Sequence, residues 1–269
     1  MRSAFRSLEI SDPRFETERL RLITVKSRAF SGRGDITLHV PEAEAPLPVA
    51  ILLHGVHGSH WAWALKGGVH RTAARLVAEG AIPPMALAMP SDGLWGDGTG
   101  YIDRSEGDFE RWIVEDVPRA VAEALGYPPA RLFLCGLSMG GYGALRIGAK
   151  HGARFAGISA HSAITRLEEL EDFVEESPRL AGGRMQDRCA LRTILAHRAT
   201  LPALRFDCGV EDPLIAGNRM LHRQLEAAGV AHDYAEFEGG HDWSYWEAHV
   251  ADSLRFFGGI SRERESCII

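Results

Sequence analysis

The segment Gly136-Leu137-Ser138-Met139-Gly140-Gly141 holds the side chain in this sequence best placed for covalent chemistry. A serine hydroxyl attacks a carbonyl carbon only when it stands clear of the backbone and a base takes its proton. A very tight turn between a strand and a helix gives that projection. Side chains two places before or after the serine would strike neighbouring backbone in such a turn, which accounts for the glycines. RLFLCG reads as the strand before it and GGYGALRIGAKHG as the helix after it. That helix turns its N-terminal amides and dipole toward developing negative charge. Ser138 is therefore the candidate nucleophile.

The base is expected to be a histidine on a loop late in the chain. Of twelve histidines, His241 in EGGHDW follows the last predicted strand and precedes the last predicted helix. His232 starts a strand, His249 lies inside a helix and His222 sits on an amphipathic helix, so none of these suits the role. The acid that fixes the imidazole tautomer should follow the preceding strand. FDCGVEDPL offers Asp212, with Glu211 beside it, and Asp212 is preferred for its place in the turn before Pro213. Asp207 lies within the strand and would point elsewhere, while Asp242 would point away from the base. The chain order Ser138, Asp212, His241 is that of α/β-hydrolases, and it differs from the chymotrypsin and subtilisin orders.

A tetrahedral intermediate needs two backbone donors for its oxyanion. The N–H of Met139, just after the nucleophile, is one; the N–H of Val56, in the loop after the VAILLHG strand, is the other. The same loop holds His54, His57 and His60, a spacing that would gather three imidazoles on one face of a helix. Gly55 and Gly58 argue against a helix there, so no metal site is expected.

These residues need a scaffold to hold them. LRLITVKS and DITLHVPE alternate like two strands joined by a turn. From residue 48 onward, apolar strand runs alternate with amphipathic helices, which implies a mostly parallel sheet with helices on both faces. HRTAARLVAEG is helical and ends at Gly80, a natural residue beyond a helix terminus. FERWIVEDVPRAVAEALG is helical, with Pro118 bending it or marking a boundary. Residues 162–200 are mixed and charged, with no evident strand, and read as a helical excursion that is either a cap over the site or a surface crossover. The whole chain, 1–269, reads as one domain, with 258–269 as a loose tail.

Bulk properties limit the functional classes. With 30 Lys and Arg against 36 Asp and Glu, the net charge is −6, and no basic block is present to track phosphates. Nucleic acid is not an expected partner. Arg2, Arg6, Glu9 and Asp12 interrupt any N-terminal apolar run, and no window is long enough for a membrane span, so neither export nor membrane association is expected. A cytoplasmic location is the default. Cys135, Cys189, Cys208 and Cys267 show no paired spacing, which speaks against a disulfide framework or zinc site. A homo-oligomer is compatible with the sequence.

LLHGVHGSHWAW, GLSMGGYGAL, CGVEDPLIAGN and LEAAGVAHDYAEFEGGHDWSYWEAHV together resemble the esterase D-like α/β-hydrolases, nearest to their tributyrin-esterase members. The resemblance runs from about residue 20 to 257. It implies an α/β-hydrolase fold and a serine carboxylic ester hydrolase that needs no cofactor and acts on short-chain or carbohydrate-type esters. Ser138, Asp212 and His241 match the family's triad positions, and Val56 and Met139 match its oxyanion donors. Relatives include S-formylglutathione hydrolases, feruloyl and acetyl esterases, and mycolyltransferases, so acyl transfer and thioester hydrolysis are alternatives with the same triad. The S-formylglutathione hydrolases carry a cysteine-containing loop where this chain has His57, Gly58, Ser59 and His60, which weakens the thioester reading. A binding protein on a retired hydrolase scaffold is disfavoured because all three triad members are present. Trp61, Trp63, Asp92, Trp95, Tyr101 and Trp243 fall on loops expected near the C-terminal ends of strands, where such sheets bind ligands. Of these, Trp61, Asp92, Trp95, Tyr101 and Trp243 are taken as candidate substrate contacts.

Overall fold

The computed structural model describes residues 5–176 and 185–265. Eleven strands and eight α-helices follow in chain order: β1 (Ser7–Ile10), β2 (Leu20–Lys26), β3 (Gly34–His39), β4 (Val49–Leu53), α1 (Ala62–Leu65), α2 (Val69–Ala78), β5 (Ala86–Pro90), β6 (Asp103–Arg104), β7 (Gly107–Asp108), α3 (Phe109–Arg111), α4 (Val117–Leu125), β8 (Leu132–Leu137), α5 (Met139–Lys150), β9 (Gly157–His161), α6 (Ala190–Ala196), β10 (Ala203–Gly209), α7 (Ile215–Ala227), β11 (Asp233–Phe237) and α8 (Trp243–Glu265). Nine strands form one sheet in the order β1-β2-β3-β5-β4-β8-β9-β10-β11, and β6 and β7 make a separate short ribbon. From β5 to β11 all neighbours are parallel, while β1, β2 and β3 join antiparallel at one edge.

The central strands are buried on both faces, as continuous apolar runs require. Alternate residues divide between two cores. Ile51, Leu53, Leu134 and Ile158 pack with α4, α5, α6 and α7 on one face. Leu52, Phe133, Cys135 and Leu137 pack with α2 and α8 on the other. α2 shows why its sequence is helical: Val69, Ala73 and Leu76 lie one turn apart and are all buried against the sheet.

The chain runs from β4 outward to β5 and then returns to β8 on the other side of β4. Loops leaving β4 and β8 therefore diverge and open a crevice at the C-terminal ends of these strands, where α/β sheets place their ligands. The loops after β10 and β11 arrive at the same end.

Pro118 marks a boundary, as expected, and stands in the first turn of α4. Residues Trp112–Asp116 form a π turn in which the Val117 N–H reaches the Trp112 carbonyl, and this widening admits a ring with no N–H to give. Two local features depart from the sequence expectations. The closing helix continues through Glu265 where a loose tail is expected from 258. The Ile260 carbonyl accepts from Arg131 at 3.0 Å, and Ser261 bonds the Phe257 carbonyl at 3.0 Å, so this stretch is anchored. Ser7–Ile10 adds an edge strand that the sequence analysis does not foresee. Cys267 lies outside the described residues. No helix among the described residues is long and apolar enough to cross a membrane.

Candidate active site

Ser138 occupies the turn between β8 and α5 with φ 52° and ψ −119°, a conformation that costs a residue with a side chain about 1–3 kcal/mol. Close packing enforces the turn. A Cβ on Gly136 would lie 2.8 Å from the Gly141 nitrogen and closer still to the Gly140 carbonyl. One on Gly140 would lie 2.6 Å from the His54 oxygen and closer still to that of Leu53. The Ser138 N–H is tied to the His161 carbonyl at 3.0 Å.

Gly209 ends β10, and the chain then turns so that Asp212 N–H bonds the Gly209 carbonyl at 3.1 Å. The Asp212 carboxylate is buried. One oxygen accepts the Leu214 N–H at 2.8 Å, and the other faces His241 Nδ1 at 2.9 Å. His241 Nε2 in turn lies 3.0 Å from Ser138 Oγ. The three side chains thus form one hydrogen-bonded chain, with Nδ1–H donating to Asp212 and Nε2 free to accept from the serine. The His241 ring is held between Phe173, stacked at 5.5 Å, and the edge-on indole of Trp246 at 5.1 Å.

Val56 follows Gly55 in the loop after β4. A Cβ on Gly55 would meet Leu137 Cδ1 at 2.9 Å and Ser138 Cβ at 3.3 Å, so this loop runs directly against Ser138. Among the described residues, neither the Val56 nor the Met139 N–H is given to a backbone carbonyl. His54, His57 and His60 do not converge. His54 is buried, with Nδ1 bonded to the Gly55 carbonyl at 2.7 Å and Nε2 accepting the Asp92 N–H at 3.1 Å. His60 Nδ1 pairs with Thr37 at 2.8 Å, and the exposed His57 lies 3.6 Å from Asp97.

A cavity of about 260 Å³ opens over Ser138 and His241. Val56, Trp61, Leu137, Phe173, Trp243 and Trp246 form its apolar walls. Trp61 and Trp243 are thus at the site. Asp92, Trp95 and Tyr101 are not among its walls, and each has a task within its own loop. The buried Asp92 carboxylate accepts from Leu94 N–H, Thr99 N–H and Thr99 Oγ1, which closes the 92–99 loop on itself. Trp95 carries the Arg104 guanidinium over its ring at 4.6 Å. Tyr101 is wholly buried, and its hydroxyl donates to the His54 carbonyl at 3.0 Å, beneath the Val56 loop. Trp63 is likewise internal, with its indole N–H on the Leu53 carbonyl at 3.0 Å.

Phe173 and Trp246 were not among the sequence candidates. Trp246 could have been found as the residue one helical turn beyond Trp243. Phe173 belongs to the 162–200 excursion and has no local pattern to mark it. It shows that this excursion reaches the site.

The family model described as "Putative esterase" matches residues 27–257. The chain is a member of the Esterase family. It is 30% identical over 236 residues to the acetyl esterase of Caldicellulosiruptor saccharolyticus, covering 80% of this chain and 85% of that one. A ferulic acid esterase structure superposes with a TM-score of 0.78 at 25% identity, covering 95% of this chain and 99% of the other. An S-formylglutathione hydrolase from Staphylococcus aureus shares the fold, with a TM-score of 0.74 at 18% identity over 92% and 98% of the two chains. The Esterase-family chain described here has the α/β-hydrolase fold and is a carboxylic ester hydrolase.

Proposed function

We propose that this esterase works through an acyl-enzyme on Ser138, with His241 as base and Asp212 as the acid that orients it. The observation that carries the reading is the unbroken chain Ser138 Oγ–His241 Nε2 and His241 Nδ1–Asp212, starting from a residue held at positive φ. Ser138 Oγ attacks the acyl carbon as its proton passes to His241 Nε2. The carbonyl oxygen takes the negative charge and is met by the N–H groups of Val56 and Met139. Collapse expels the alcohol, which takes the proton back from His241. Water, deprotonated by the same imidazole, then attacks the acyl carbon and releases the acid, and Ser138 regains its proton. No step calls for a cofactor.

The substrates proposed are short-chain or carbohydrate-type esters. A 260 Å³ cavity walled by aromatic side chains suits a small acyl group, and the half-exposed Trp61 at its rim gives a flat face for a sugar ring. The similarity to an acetyl esterase and a ferulic acid esterase supports the same range. Replacing Ser138 by Ala tests the mechanism. Turnover of p-nitrophenyl acetate should fall on the order of 10⁶-fold, and the fluorophosphonate adduct should vanish while the circular dichroism spectrum is unchanged. Full activity in that variant would refute the assignment.

A further inference from the structure

A second His–Asp pair lies buried between the sheet and α8, separate from the triad. His161 and Asp207 are opposite one another on β9 and β10, and both side chains are fully buried. His161 Nδ1 bonds one Asp207 oxygen at 2.9 Å, and the Tyr245 hydroxyl donates to that same oxygen at 2.8 Å. The second Asp207 oxygen accepts from Arg205 at 2.6 Å. His161 Nε2 lies 2.7 Å from Ser253 Oγ on α8, which meets Ser159 Oγ at 2.6 Å. Trp63 covers the imidazole edge-on at 6.3 Å, the Cys135 thiol faces it from β8, and Asp252 lies 3.9 Å from Arg205. Burial opposes the imidazolium, but the facing Asp207 carboxylate outweighs it and raises the His161 pKa to about 9. The three donors on Asp207, from His161, Tyr245 and Arg205, favour its carboxylate form in the same direction.

Burying two charges is expensive, and an apolar cluster of equal volume would pack the layer at least as stably. The location of the pair suggests what it does instead. The His161 carbonyl accepts the N–H of Ser138 at 3.0 Å, and the Asp207 carbonyl accepts the N–H of Ser162 at 2.8 Å. β10 leads from Asp207 through Gly209 to Asp212. Tyr245 stands in the first turn of α8, its N–H on Asp242 Oδ1 at 3.2 Å, directly after the loop that carries His241. The cluster therefore touches all three segments that bear the triad.

We propose that the buried His161–Asp207 pair, gripping Tyr245, is a positioning device that holds the His241 loop in register with Ser138 and Asp212. This rests on the triad reading above. None of its members contacts the reacting atoms, so their effect is felt through His241.

The test is Tyr245→Phe, which removes one hydroxyl and keeps the ring, compared with Phe257→Leu, which loosens α8 at its far end where Phe257 stacks on Phe133 at 4.7 Å. Thermal midpoint, kcat and KM for p-nitrophenyl acetate, and the rate of Ser138 labelling by a fluorophosphonate are measured on all proteins. Tyr245→Phe should lower kcat and the labelling rate by about tenfold or more with KM within about twofold, as expected for a misplaced base. Phe257→Leu should lower the midpoint and leave kcat within about twofold of the parent. An unchanged kcat and labelling rate in Tyr245→Phe would overturn the inference, leaving the pair a packing element. So would an equal kcat loss in Phe257→Leu, since any loosening of α8 would then suffice. A parent protein that forms no adduct at Ser138 would overturn the triad reading and this inference with it.

Discussion

Gly140→Ala adds one methyl group where the Ser138 turn packs hard against the end of β4. Its Cβ would lie 2.6 Å from the His54 oxygen and nearer still to that of Leu53. Ordinary carbon contacts begin near ~3.5 Å, so the two backbones must part by roughly 1 Å. Neither partner is a flexible side chain. The end of β4 carries the Val56 N–H two residues beyond His54, and the start of α5 carries Ser138 and the Met139 N–H. Whichever moves, the two N–H groups proposed to meet the oxyanion separate. Losing one such donor costs about 3 kcal/mol in the transition state, and a 1 Å misplacement costs about 100-fold, so kcat should fall about 100-fold.

The assay is kcat for p-nitrophenyl acetate together with the fluorophosphonate labelling rate, both taken well below the variant's thermal midpoint. Gly126→Ala is the control. Gly126 caps α4 at φ 81° with open space around it, so that variant should lose about 1–2 kcal/mol of stability and no activity. A folded Gly140→Ala protein with kcat and labelling within about threefold of the parent would refute the reasoning, because the contact would then have relaxed without disturbing the donors.

Two further outcomes follow from other parts of the molecule. Asp212→Asn keeps the shape of the acid and its bond from the Leu214 N–H but removes the charge proposed to fix the His241 tautomer; kcat should fall roughly 10⁴-fold with KM little changed, and a loss under tenfold would count against Asp212. His39 is buried, and that burial, reinforced by the positive fields of His70 and Arg19, lowers its pKa to about 4. Because the unfolded chain takes up this proton near pH 6.5 and the native state does not, stability should fall as pH drops from 6.5 to 4, by up to about 3 kcal/mol. A histidine-resolved NMR titration reads the midpoint directly, and a His39 midpoint above 6 would contradict it.

Legibility in the sequence follows the range of the forces involved. The strands and helices around the site are written in short apolar runs and helical spacing, and the sheet strands β4, β5 and β8 to β11 with helices α2, α4, α5, α7 and α8 lie where those patterns put them, whereas α1, α3 and the β6–β7 ribbon are not marked by any such run. The Ser138 turn is legible in part for the same reason, since Gly136 answers to contacts with Gly140 and Gly141, whereas Gly140 answers to Leu53 and His54 across the sheet. The cavity walls are not. Asp92, Trp95 and Tyr101 sit on a loop that reaches the correct end of the sheet, so their residue types and position both suggested a lining role. Hydrogen bonds back into the loop and across to His54 hold Asp92 and Tyr101, and the Arg104 guanidinium lies over the Trp95 ring. Such contacts depend on where a neighbouring segment ends, which spacing along the chain does not record.

The buried pair extends the same point. Asp207 reads correctly as pointing away from the triad, yet an aspartate and an arginine two residues apart on a central strand put charge on one face of the sheet. That charge demands a partner, because an unpaired carboxylate in this layer would cost several kcal/mol. The partner, His161, is 46 residues away in sequence and directly opposite across the β9–β10 ladder. A sequence can therefore state the demand without naming who meets it. Strand order settles the matter, and strand order is also what brings Ser138, Asp212 and His241 together. On this view the hydrogen-bonded chain from Ser138 through His241 to Asp212 and the His161–Asp207 pair are two readouts of one sheet register, which is why deleting a single hydroxyl on Tyr245 should be felt at Ser138.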